Sequence, residues 1–194
     1  DVQFELWRRI IDRVAQDWLW LPVVPPRRER ENTEIQVRSE GIFRVNRRTG
    51  AEELLVEPPI GGEQKPHRGS PLPYVSASRK EEINRFVPPP EDSGKIIGDG
   101  SDDLSRMLLD EYGRDLFPYR RVSSPLWRCY DLWGFETLMI MTVVDPELVA
   151  YAASRWLEYS LWDVRRAAAL GAKAIWIEEC FTDMISPTAF AYLN

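Results

Sequence analysis

Two adjacent carboxylates, Glu178 and Glu179, follow the apolar run Ala174-Ile175-Trp176-Ile177 and precede Cys180 and a polar stretch to Asp183. Acids at the carboxyl end of a buried parallel strand stand where α/β barrels keep their chemistry, orienting a substrate or carrying a proton. The competing reading is a strand that has simply ended, with its charges in solvent. Period-two alternation lets only one of the pair share a face with Ile175 and Ile177, and that residue is Glu179. It is expected at the mouth of the sheet, with Trp176 packed against helices. The two cysteines, Cys129 and Cys180, have no metal-ligand spacing and read as free thiols. The single histidine, His67, lies in Lys65-Pro66-His67-Arg68-Gly69, a loop composition that places it in solvent. A histidine-dependent triad, a two-histidine metal motif and a zinc finger are therefore beyond this sequence. Gly98-Asp99-Gly100-Ser101-Asp102-Asp103 looks like a calcium loop only superficially. The position that needs glycine is Leu104, and the closing glutamate is Asp110. It reads instead as a helix cap whose acids complement the helix dipole. Arg27, Arg28 and Arg30 alternate with Glu29 and Glu31, a solvated loop whose second reading is a grip on an anionic substrate.

The elements that must position these groups follow from punctuation and periodicity. Most of the 15 prolines lie between Pro22 and Pro90, so the first half reads as short pieces joined by turns. Apolar residues from Phe4 to Trp18 recur at helical spacing and predict a helix over residues 2–20, ended by Pro22. Residues 34–37, 42–45 and 53–56 alternate β-branched and charged side chains, as on a half-exposed antiparallel ribbon. Residues 57–75 are Pro/Gly-rich loop. Ser78-Arg79-Lys80-Glu81 matches a capping box for a short helix to Phe86. Ser101–Tyr112 reads as a helix capped by Gly113, residues 119–124 as a strand, and residues 126–144 as apolar at helical spacing. Asp145-Pro146-Glu147 is a strong helix start, and Gly171 closes that helix after Leu170. Lys173–Glu178 is a strand with both faces apolar, and Ser186-Pro187 opens another helix.

Composition narrows the class. The chain has 194 residues, 44% of them hydrophobic, with eight Trp and a formal charge of −6. That is enough apolar material for a core and the wrong sign for a nucleic-acid partner. No apolar run of about 18 residues predicts a membrane span, and the first residues lack a signal-peptide pattern. Two distant cysteines suit a reducing, cytoplasmic setting.

Order and motif then point to a family. Gly171-Ala172-Lys173-Ala174-Ile175-Trp176-Ile177-Glu178-Glu179 followed by Ile185-Ser186-Pro187-Thr188-Ala189-Phe190 resembles the uroporphyrinogen decarboxylase superfamily. Asp145-Pro146-Glu147-Leu148-Val149 is similar to that family's helix start, and Ser124-Pro125-Leu126 with Gly134-Phe135-Glu136 to the segment before it. The resemblance covers about residues 100–194. It implies a TIM-type (β/α)8 barrel of which the chain carries about the N-terminal half. Residues 1–99 would then form an N-terminal helix, β-ribbon and Pro-rich elaboration, and residues 100–194 the first part of the barrel. A barrel typically takes about 250 residues, so this chain is expected to be truncated.

Two branches divide the superfamily. The decarboxylases carry an Arg-Gln-Ala-Gly-Arg-Tyr segment, where this chain has Leu21-Pro22-Val23-Val24-Pro25-Pro26-Arg27-Arg28. Their strand tyrosine falls on Tyr130 only with a one-residue gap. The corrinoid-linked methyltransferases and demethylases hold Zn2+ through His-x-Cys and a later Cys, ligands expected beyond residue 194. The resemblance therefore implies methyl transfer between a small methylated substrate and a corrinoid protein. Glu179, aligned on the family's acidic strand end, is the expected catalytic group, with Tyr130, Glu178, Arg27 and Arg28 as substrate-binding residues. Decarboxylation of uroporphyrinogen or another carboxylated substrate, with no cofactor, is the alternative; a non-catalytic half-barrel is the third. An open half-barrel is expected to pair into a homodimer.

Overall fold

The computed structural model describes residues 2–55, 77–88, 98–179 and 184–193. The expected loop over residues 57–75, with His67, lies outside them, as does Cys180. The chain is an α/β protein with two sheets of different kinds. β1 (Trp18–Trp20), β5 (Phe117–Ser123) and β6 (Ala174–Glu178) form a parallel sheet in the order β1-β5-β6. β2 (Thr33–Arg38), β3 (Gly41–Asn46) and β4 (Glu52–Leu55) form a separate antiparallel ribbon, as their alternation predicts. Ion pairs join its strands: Arg38 to Glu52 at 2.6 Å, and Arg44 to Glu53.

α1 (Val2–Val14) is shorter than its apolar stripe predicts. Ala15 takes a positive φ of 52°, and Trp18-Leu19-Trp20 leaves the helix to pair with β5. Leu19 is fully buried there, so sheet pairing overrides a periodicity that Trp18 happened to extend. α2 (Arg27–Asn32) occupies the stretch read as a solvated loop. α3 (Lys80–Phe86) has a capping interaction displaced by one residue. Glu82 rather than Glu81 accepts from the Ser78 backbone N–H at 2.8 Å and from its hydroxyl. α4 (Asp103–Tyr112) is capped by Gly113 as expected; the Gly113 N–H donates to the Leu109 carbonyl with a right-handed φ of −65°.

The apolar run 126–144 divides into α5 (Pro125–Arg128) and α6 (Tyr130–Val144). Gly134 breaks α6 with a φ of 68°, a conformation glycine adopts without Cβ strain. α7 (Pro146–Leu170) matches its predicted limits: the Asp145 side chain accepts from the Leu148 N–H, and Gly171 is left-handed with a φ of 109°. A Cβ on Gly171 would meet nothing within 4 Å. Gly171→Ala should therefore cost about 1–2 kcal/mol through backbone strain alone, read as a lower urea midpoint. α8 (Pro187–Leu193) starts with the Ser186 hydroxyl accepting from the Ala189 N–H.

Two apolar clusters support the sheet. One joins α3, α5, α6, α7 and α8 around Leu132, Trp133, Leu138, Val149 and Trp156. The Trp133 indole N–H donates to the Ala77 carbonyl at 2.7 Å within it. The other joins α1, β1 and α4 around Ile11, Leu19, Leu104 and Leu108. Pro118, Arg120 and Val122 are the buried residues of β5, and Arg120 meets α4 and α7, so this is the helix-covered face. The register pairs Arg121 with Trp176 and Arg120 with Ile175. Trp176 therefore lies on the opposite face, corrected from its expected place under the helices. It is 55% exposed and its ring contacts Tyr119 at 6.0 Å, which in turn meets Trp18 at 6.3 Å. β6 is parallel as expected but is not buried on both faces: Trp176 and Ile177 are both largely exposed, and β6 is an edge of the described sheet.

Candidate functional site

The carboxyl ends of β5 and β6 bring together groups that the chain holds far apart. Pro125 starts α5 immediately after β5, and the Ser124 hydroxyl accepts from the Trp127 N–H at 3.0 Å, which fixes the turn. The Ser160 hydroxyl on α7 donates to the Ser123 carbonyl at 2.9 Å and anchors the same turn from below. This turn presents Ser124 and Cys129 to Glu179, which follows β6.

Both carboxyl oxygens of Glu179 are buried, and neither makes a hydrogen bond of ordinary geometry among the described residues. Burial pushes its pKa up; the Ser124 hydroxyl, close enough to act on it, opposes the rise. Asp131 is also raised by burial, and the Arg128 guanidinium opposes that. Cys129 lies in the field of both acids. A carboxyl whose pKa burial raises holds its proton more firmly than a free one and can donate it to a leaving group or a polar substrate atom.

The sequence placed Glu179 at the open mouth of the sheet. Its carboxyl turns instead toward Ser124 and the α5 side, since the register that puts Arg120 under the helices sets the parity of β6 as well. Tyr130 follows Cys129, and its ring lies 4.7 Å from Trp127 and 5.8 Å from Phe135. Glu178 is the last residue of β6, in register with Ser123. Arg27 is drawn elsewhere: with Arg30 it binds Asp103 at the head of α4, at 3.0 and 2.6 Å. Arg28 is exposed, and its carbonyl accepts from Asn32.

The ionic core beneath β5 is what the sequence did not reveal. Asp102, read as part of a helix cap whose acids complement the dipole, is 2% exposed and takes Arg120 at 2.9 Å and Arg166 at 2.8 Å on its two oxygens. Arg128 pairs with Asp163 nearby, and its guanidinium lies 5.6 Å from the Trp156 ring centroid. The available signal was an arginine at an inward position of a strand.

Cys129 is not placed as a zinc ligand. Among the described residues no three His, Cys, Asp or Glu side chains come together for a metal. Cys129 is fully buried, its thiol donates to the Pro125 carbonyl, and burial pushes its pKa up, which opposes the thiolate that zinc requires. Cys129 should stay unmodified by an alkylating reagent at pH 8 in the folded protein and react once urea unfolds it, as mapped by peptide mass. Rapid labelling of the native chain at Cys129 would contradict its burial.

No protein-family model, curated protein or solved structure matches this chain. Among the described residues no helix is long and apolar enough to cross a membrane.

Proposed function

We propose that this chain is the first part of a uroporphyrinogen-decarboxylase-like (β/α)8 barrel. Its activity is methyl transfer between a small methylated substrate and a corrinoid protein. The observation that carries this reading is the buried Glu179 carboxyl just past the end of β6, on the α5 side beside Ser124 and next to the end of the sheet where parallel α/β folds bind their ligands. The sheet order supports it, since β1, β5 and β6 pair in chain order, as the opening strands of a singly wound barrel do. The corrinoid supplies the metal centre that exchanges the methyl group. Glu179 holds a proton on a carboxyl oxygen and delivers it to the substrate heteroatom that loses its methyl group. Tyr130, among Trp127 and Phe135, offers an aromatic wall to a small apolar substrate.

The test incubates the protein with cob(I)alamin and a panel of methyl ethers, methylamines and methyl thiols, following the corrinoid spectrum. Methylcobalamin formation that Glu179→Gln abolishes is the expected result. Carboxyl loss from uroporphyrinogen with no methyl transfer would favour the decarboxylase instead. A coding sequence that continues past residue 194 into a His-x-Cys and a later Cys is also expected. Its continuation without them would count against the zinc-dependent branch.

The same reading leaves Leu157 and Leu161 of α7 and Ile177 of β6 exposed until a neighbour covers them. Sedimentation of the 194-residue chain should show a concentration-dependent dimer. A monomer at all concentrations would remove the second copy from the proposal.

A further inference from the structure

The ionic core beneath β5 does not balance its charge. Arg120 and Arg166 both bind Asp102, and their side chains are 4% and 6% exposed. Asp163, the next carboxylate in their field, is partly exposed and already paired with Arg128. Among the described residues, three guanidinium groups thus face two carboxylates. Guanidinium does not deprotonate in proteins, so the excess charge cannot be removed by proton loss, as it could be for lysine or histidine.

The hydrogen-bond pattern shows the same deficit. Arg120 uses Nη1 on one oxygen of Asp102, and Arg166 uses Nε on the other. The Nη2 atom of each is buried and lacks an acceptor among the described residues. Two such donors around one carboxylate, each on a side chain more than nine-tenths buried, are costly unless something accepts from them. A water would accept the hydrogen bonds but leave the charge. A monovalent anion satisfies both.

We propose that Arg120 and Arg166 hold a resident monovalent anion of the halide class at the Nη2 atoms that Asp102 does not engage. The burial of both Nη2 atoms limits it to a small ion, and the charge count limits it to a single negative charge. It completes the electrostatics between β5, the head of α4 and the last turns of α7, independently of the chemistry at Glu179.

Thermal unfolding of the full chain in sodium chloride, bromide or gluconate at matched ionic strength tests this. Gluconate is too large for the site. Chloride and bromide should raise Tm saturably by about 3 °C over gluconate. In Arg166→Met, which leaves a neutral Arg120–Asp102 pair, that difference should disappear. Equal melting of the wild type in chloride and gluconate would overturn the proposal, and so would a full halide response in the variant. Should Arg166→Met fail to fold, wild-type crystals grown in bromide decide the matter. An anomalous peak within hydrogen-bond distance of both Nη2 atoms is expected, and its absence refutes the site.

Discussion

Asp102→Ala should lower stability by about 3–5 kcal/mol, the largest loss expected of any single substitution in this protein. The effect comes less from the bonds removed than from what remains. Without Asp102, the buried guanidinium groups of Arg120 and Arg166 lose the carboxylate that both of them bind. Neither can become neutral, and neither can reach solvent without moving β5 away from α7. Against the roughly 5–15 kcal/mol of a typical domain, such a loss leaves a large unfolded fraction. Urea unfolding followed by tryptophan fluorescence measures it as a lower midpoint at unchanged slope. Asp102→Asn, which keeps one oxygen acceptor but no charge, should fall between wild type and alanine. A loss below about 1 kcal/mol for alanine would mean that water already solvates this core.

Glu179→Gln should separate function from stability. If Glu179 is the general acid of the proposed methyl transfer, its loss should lower kcat by about 100-fold or more in that assay. The same change should raise stability at neutral pH, because burial raises the Glu179 pKa in the folded protein. Below the unfolded pKa both states carry the proton and the group contributes nothing. As pH rises toward the folded pKa, the folded state binds more protons than the unfolded state, and stability falls. Above the folded pKa the ionised carboxyl is a standing cost that glutamine removes. Wild type and variant should therefore converge below about pH 4, where a carboxyl is protonated in both states, and diverge above it. Chemical denaturation across pH tests the sign. A variant less stable than wild type at neutral pH would show that the carboxylate has a partner that stabilises its charge. That pattern would mark a site residue held for chemistry at the expense of stability.

Local signals settled the elements whose physics is local. Asp145 and Gly171 delimit α7 because a side-chain cap and a left-handed glycine act within one turn of the chain. The ribbon was legible because half-exposed antiparallel strands write their two faces into alternate residues. The strand ahead of Glu179 was legible for a related reason, as a short β-branched and aromatic run after a glycine stop. Local signals failed where partners distant in sequence decide the outcome. Trp18 fits a helical stripe, yet it enters a sheet because β5, a hundred residues away, offers an edge to pair with. The faces of β6 could not be assigned from its own residues, since both are apolar. Its register with β5, whose Arg120 is held under the helices, placed Trp176 on the open face and turned Glu179 toward Ser124. Asp102, Arg120 and Arg166 look like ordinary surface charges in a chain that is 29% charged. Only the packing of α4 and α7 onto β5 buries them together, because the energy of a charge depends on its dielectric surroundings and its neighbours, and neither is a property of the residue itself.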